Sequence, residues 1–171
     1  MNTPLYITHF YFSLLLRIIV TVVILFTFPI PLFYKIILIM MSDFLDHGIP
    51  RRIYSNWISG KTLTYQINDK ITDTITYIIL LCYILTTSNI TITQKKILIT
   101  LLIFRIIGTV LFILKKDKKY LFYFPNFFLE ISLSMVGINH FSLKNQASNI
   151  VILLVIIYKI IQEYILHYKN L

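Results

Sequence analysis

Apolar runs recur along the whole chain with only short polar joints between them, and this pattern leaves few folds open. The runs lie at Leu5–Phe28, Pro29–Leu45, Ile71–Thr87, Lys96–Leu114, Tyr120–Phe141 and Ile150–His167. A helix needs about 20 apolar residues to cross a hydrocarbon core of roughly 30 Å. Backbone groups in lipid must bond within their own segment, and runs of this length are too long for barrel strands. The sequence therefore predicts an all-α, polytopic membrane protein with six transmembrane helices, forming a single transmembrane domain over residues 1–171. With 57% hydrophobic and only 13% charged residues, the chain cannot present a water-soluble surface.

Basic residues set the expected orientation. Arg51, Arg52, Lys61 and Lys70 follow the second run, and Lys115, Lys116, Lys118 and Lys119 follow the fourth, whereas the opposite side carries mainly Lys95, Lys96 and Lys144. The positive-inside rule then places both termini and the loop from His47 to Lys70 in the cytoplasm. The first run has no Lys or Arg before Arg17 and no small-residue cleavage pattern, so it is expected to remain as a span rather than leave as a signal peptide. The net charge of +9 gathers at helix ends, where it suits anionic lipid headgroups; no nucleic-acid partner is expected. Cys82 is the single cysteine, which excludes an internal disulfide and a thiolate metal site; the expectation for it is a small core residue.

Four of the seven acidic residues fall between Asp43 and Asp73, which marks that stretch as the active-site region. Asp43 and Asp46 close the second run at i,i+3 spacing, and Asp69 and Asp73 open the third at i,i+4, so each pair shares one helix face. Antiparallel packing of the second and third helices brings the four carboxylates together. Carboxylates near lipid are costly unless a cation or water receives them. An all-oxygen set suits Mg²⁺ or Mn²⁺ rather than zinc, and Mg²⁺ commonly completes its shell with substrate phosphates. Arg51, Arg52 and Lys70 stand ready as phosphate contacts, and a loop carrying Gly48 and Gly60 can bend back over the site. The plainer alternative is four separately solvated acids at helix ends.

This stretch resembles the signature of the CDP-alcohol phosphatidyltransferases, six-helix membrane enzymes with Asp-x2-Asp-Gly-x2-Ala-Arg followed, after eight or nine residues, by Gly-x3-Asp-x3-Asp. Here Asp43-Phe-Leu-Asp46-His47-Gly48-Ile49-Pro50-Arg51-Arg52 carries both acids and an arginine at the expected offset. His47 stands at the glycine position and Pro50 at the alanine position; alternatively, His47 is a one-residue insertion and Arg52 takes the arginine place. The second half aligns in two ways. Either Gly60 keeps the glycine position, with Thr64 or Tyr65 at the third aspartate and Asp69 at the fourth, or about five extra loop residues make Asp69 and Asp73 the third and fourth. The latter keeps all four carboxylates and is preferred.

The resemblance is specific over Asp43–Asp73 and elsewhere rests on helix count. It implies transfer of a phosphatidyl or similar phospho-alcohol group from a CDP-activated donor to an acceptor hydroxyl, with release of CMP. It further implies that Asp43, Asp46, Asp69 and Asp73 form the metal set for two divalent ions, with Asp73 also taking the acceptor's proton. The substrate-binding set would be Gly48, Arg51, Arg52, Gly60 and Lys70, and the assembly a homodimer among membrane lipids. Two other functions stay in view: a relative that has lost catalysis and keeps a structural or binding role, and a small cation transporter.

Two arginines lie inside apolar runs. Snorkelling toward the interface is the expectation for Arg17. Arg105, with Gly108 one turn later, is read either as a contact for an anionic lipid headgroup, and so part of the substrate-binding set, or as a second snorkelling side chain. Asn126 and Glu130, at i,i+4, are expected to make a structural pair, with Arg105 or a polar cavity as the other readings.

Overall fold

The computed structural model describes residues 5–42, 62–87, 90–143 and 145–167. Of these residues 87% are helical, and none lies in a strand. The helices run α1 Leu5–Thr27, α2 Leu32–Met41, α3 Leu63–Thr87, α4 Ile92–Lys115, α5 Lys119–Tyr123, α6 Phe128–His140 and α7 Asn145–His167. Four stretches are long and apolar enough to cross a bilayer: Leu63–Thr87, Ile92–Lys115, Lys119–His140 and Ser148–Ile165. The two remaining runs form α1, described with its side chains over Tyr11–Thr27, and the short α2, Leu32–Met41. The all-helical membrane class therefore holds, with four candidate spans among the described residues. The 10 residues of α2 rise about 15 Å, half of a hydrocarbon core. Proline delays its start: Pro31 sits at the N-cap with φ −54° and ψ 144°, and its carbonyl accepts from Tyr34 N at 3.0 Å.

Several helices are inside out compared with those of a water-soluble protein. In α7 the buried described residues are Lys159 and Glu163, while Ile150, Leu153, Leu154, Ile157, Ile160, Ile161 and Ile165 are exposed. In α1, Ser13, Arg17 and Thr21 are buried, with Phe12, Leu15, Ile19, Val22 and Phe26 outward. Water would penalise that arrangement. Lipid accepts it, because hydrocarbon leaves polar groups no partner except other protein atoms.

The chain divides into two compact units, Met1–Leu80 and Leu81–Leu171. In the first, α1 packs on α2, with Leu25, Ile36 and Ile39 in the core. In the second, α4 packs on α5 and α6, and α7 packs on the same two helices. One device recurs in both. Lys35 Nζ of α2 donates to Leu25 O near the end of α1 at 2.6 Å, and Lys95 Nζ of α4 donates to Leu85 O near the end of α3 at 2.9 Å. Each lysine lies ten residues beyond a carbonyl that the preceding helix leaves unbonded, and its charge complements the negative end of the helix dipole. The start of α4 is fixed by a capping box, in which Thr91 Oγ1 accepts from Gln94 N and Gln94 Oε1 from Thr91 N.

Helix boundaries depart from expectation in two informative places. The helix expected to begin near Ile71 begins at Leu63, so Asp69 and Asp73 lie well inside α3 rather than at its mouth. The expected span Tyr120–Phe141 is broken at Phe124–Phe127, around Pro125, into α5 and α6. In the buried stripe of α4, Arg105 and Gly108 face this break. Arg105 NH1 donates to Phe124 O at 3.0 Å, and the Phe124 and Phe104 rings lie 4.8 Å apart. A Cβ at Gly108 would collide with Phe124 Cβ, so glycine is required for the approach. Cys82, expected in the core, is exposed instead.

Gly108→Val is expected to lose about 1–3 kcal/mol through overpacking against Phe124. Thermal unfolding in detergent reads this as a lower Tm. A Tm equal to that of the unsubstituted chain would contradict the close approach.

Candidate functional site: a carboxylate pair held by Arg17 and Lys70

The first unit carries a polar seam between α1 and α3. Ser13, Arg17 and Thr21 recur every four residues on α1, and all three are buried. On α3, Asp69, Asp73 and Thr76 recur at i, i+4 and i+7, again one face, with Thr72 beside them. Arg17 is 1% exposed and Asp73 6%.

Within this seam every oxygen of the two carboxylates meets a cation. Arg17 NH1 lies 3.3 Å from Asp69 Oδ1, and Arg17 NH2 bonds Asp73 Oδ1. Lys70 Nζ lies 2.6 Å from Asp69 Oδ2 and 3.0 Å from Asp73 Oδ2. The guanidinium fork spans the pair from one side and the ammonium from the other, so among the described residues two negative charges face two positive ones. Neutral balance is what a low-dielectric setting demands, since an uncompensated ion there costs several kcal/mol. Thr76 Oγ1, on the same face, is buried with no hydrogen-bond partner among the described residues.

The expected site residues fall into three groups. Asp69, Asp73 and Lys70 come together as the spacing implies, joined by Arg17, for which snorkelling was the expectation. Asp43, Asp46, Gly48, Arg51, Arg52 and Gly60, together with His47 and Pro50, lie outside the described residues. Arg105 belongs to the second unit and is 2% exposed, with NH1 on the Phe124 carbonyl. Thr64 and Tyr65, the other choices for the third aspartate position, lie at the start of α3.

No three His, Cys, Asp or Glu gather as a metal-binding group among the described residues. The chemistry of the Asp69–Asp73 pair nonetheless fits a hard divalent ion: its donors are carboxylate oxygens, one helical turn apart, and they already attract two cations.

A second charged cluster was not foreseen. Lys159 Nζ lies 2.6 Å from Glu130 Oε1, 3.0 Å from Gln162 Oε1 and 3.5 Å from Glu163 Oε1, and Asn126 N donates to Glu163 Oε1 at 3.2 Å. Asn126 and Glu130 do take part in one structural network, but through α7 rather than Arg105. The signal was present: Lys159 and Glu163 stand i,i+4 inside an apolar run, a spacing that places both on one face. This cluster ties α7 to the broken span α5–α6.

Lys159→Met is expected to lose roughly 3–5 kcal/mol, because Glu130 and Glu163 keep their charge after their ammonium is gone. Adding Glu130→Gln and Glu163→Gln should recover most of the loss in detergent melting curves. An unchanged Tm for Lys159→Met alone would show that the cluster holds nothing together. Comparison with known proteins gives no match: no family model fits the chain, and no curated protein or solved structure matches it significantly.

Proposed function

We propose that the chain is a membrane-embedded, metal-dependent phosphotransferase of the CDP-alcohol phosphatidyltransferase type, acting in phospholipid synthesis. The observation that carries this reading is the Asp69–Asp73 pair, one turn apart on α3, with Asp73 buried, and bonded to Arg17 and Lys70. With Asp43 and Asp46 at the end of the second apolar run, the pair would complete the four-carboxylate pattern of that family.

In this reading the acceptor's hydroxyl oxygen attacks the phosphorus next to the lipid or alcohol group of the CDP-activated donor. The new P–O bond forms as the bond to the bridging diphosphate oxygen breaks, and CMP leaves with that oxygen. Asp73 takes the hydroxyl proton, while Lys70, Arg51 and Arg52 hold the diphosphate, and Gly48 and Gly60 let the loop approach it. Mg²⁺ or Mn²⁺, two ions held by the four aspartates, would neutralise charge developing on the leaving group. The finer topology belongs to the same proposal: six helices in the membrane, both termini and the carboxylates at the cytoplasmic face, and a homodimer.

One observation favours a second reading. All four carboxylate oxygens are already bonded to Arg17 and Lys70, as befits a fixed ion-pair lock in a relative with a structural or binding role.

Purified protein given CDP-diacylglycerol, Mn²⁺ and a panel of alcohols separates the two. CMP release is expected with at least one acceptor, and Asp73→Asn should lower it by about 10²–10⁴-fold, the usual contribution of a general base. No CMP with any acceptor leaves the structural lock. Orientation is tested in a Cys82→Ser background. Ile92→Cys, 75% exposed in the parent residue, should react with an impermeant thiol reagent on intact cells, and Lys115→Cys only after permeabilisation. The reverse pattern would invert the topology.

A further inference from the structure

We infer that Arg17 is a tethered counter-ion that occupies the Asp69–Asp73 pair until a divalent cation displaces it, so that it sets the threshold for metal loading. The inference rests on the metal-dependent reading of this site and concerns its regulation.

The geometry supplies the competition. Arg17 reaches α3 from α1 and bonds one oxygen of each aspartate, while Lys70 takes the other oxygen of each. A divalent ion bridging the two aspartates needs an oxygen from each, so it must evict one of these cations. Lys70 is the neighbour of Asp69 in α3 and stays with the pair; Arg17 lies on another helix and can be withdrawn with it. The guanidinium is not free to drift outward, because its surroundings leave it 1% exposed. Exchange therefore couples metal entry to a change in how α1 meets α3.

A second observation points to a ligand here. Thr76 Oγ1, one turn from Asp73 on the same face, is buried with no hydrogen-bond partner among the described residues. A buried hydroxyl without a partner is costly, and a hydrated cation beside Asp73 would satisfy it. Exchange also keeps the local charge economical: leaving Arg17 in place beside a divalent ion would put like charges together in a low-dielectric site.

The test is Mn²⁺ binding to the purified full chain in detergent, followed by electron paramagnetic resonance without donor or acceptor. Arg17→Gln should bind Mn²⁺ at least tenfold more tightly than the unsubstituted protein. Arg17→Lys, whose shorter side chain lacks the planar two-armed guanidinium that gives each carboxylate its own nitrogen, should bind about threefold more tightly. Adding Asp73→Asn to Arg17→Gln should remove the gain. Unchanged or weaker affinity in either arginine variant overturns the inference, as does absence of Mn²⁺ binding in all of them. If Arg17→Gln elutes as aggregate without metal, purification in Mn²⁺ should restore a monodisperse helical protein; failure to do so counts against the inference. CMP release is not read here; exchange in this assay with no CMP in the separate transfer assay would refute the phosphotransferase reading and leave the exchange standing.

Discussion

The first unit depends on Arg17 bridging Asp69 and Asp73. An arginine, a lysine and two aspartates, placed singly on apolar helices, would each carry a large desolvation cost. Once they are gathered into one seam, each carboxylate oxygen meets a guanidinium or ammonium nitrogen. α1 cannot turn its arginine elsewhere without leaving both aspartates short of charge, so the ion network fixes the face that α1 presents. Apolar contact alone could not do so, because lipid tails satisfy leucine and isoleucine as well as protein does.

The second unit solves the same problem with other residues. Lys159 serves both Glu130 and Glu163, and Arg105 supplies a donor to the carbonyl left open where Pro125 interrupts the helix. Gly108 makes room for that interruption. The break is thus positioned rather than loose: a proline removes one backbone donor, and a buried arginine and a glycine on the facing helix receive the altered chain.

How much of this was legible beforehand follows from the range of each interaction. Helix class and the shared face of Asp69 and Asp73 depend on local periodicity, so they could be read from residue spacing. The lock by Arg17 could not, because its partners lie 52 and 56 residues away and nothing local distinguishes a pairing arginine from a snorkelling one. The extra turns at the start of α3 are not legible because Thr64, Gln66 and Asn68 are polar and read as loop; the helix runs through them, with Asn68 Nδ2 bonded back to Thr64 O. The i,i+4 spacing of Lys159 and Glu163 is visible in the sequence, but their partners Glu130 and Asn126 lie on other elements and no local pattern announces them. The first half of the candidate site, Asp43 to Arg52, lies outside the described residues.

The central claim is that Arg17 and Asp73 are energetically one unit. A double-mutant cycle on Arg17→Gln and Asp73→Asn, read from reversible unfolding in detergent, addresses it directly. Each single change leaves a buried charge without its counterpart and should cost roughly 3–5 kcal/mol, whereas the double change should cost far less than the sum, with a coupling of at least about 1.5 kcal/mol. Additive losses, with no coupling between the two positions, would contradict the account.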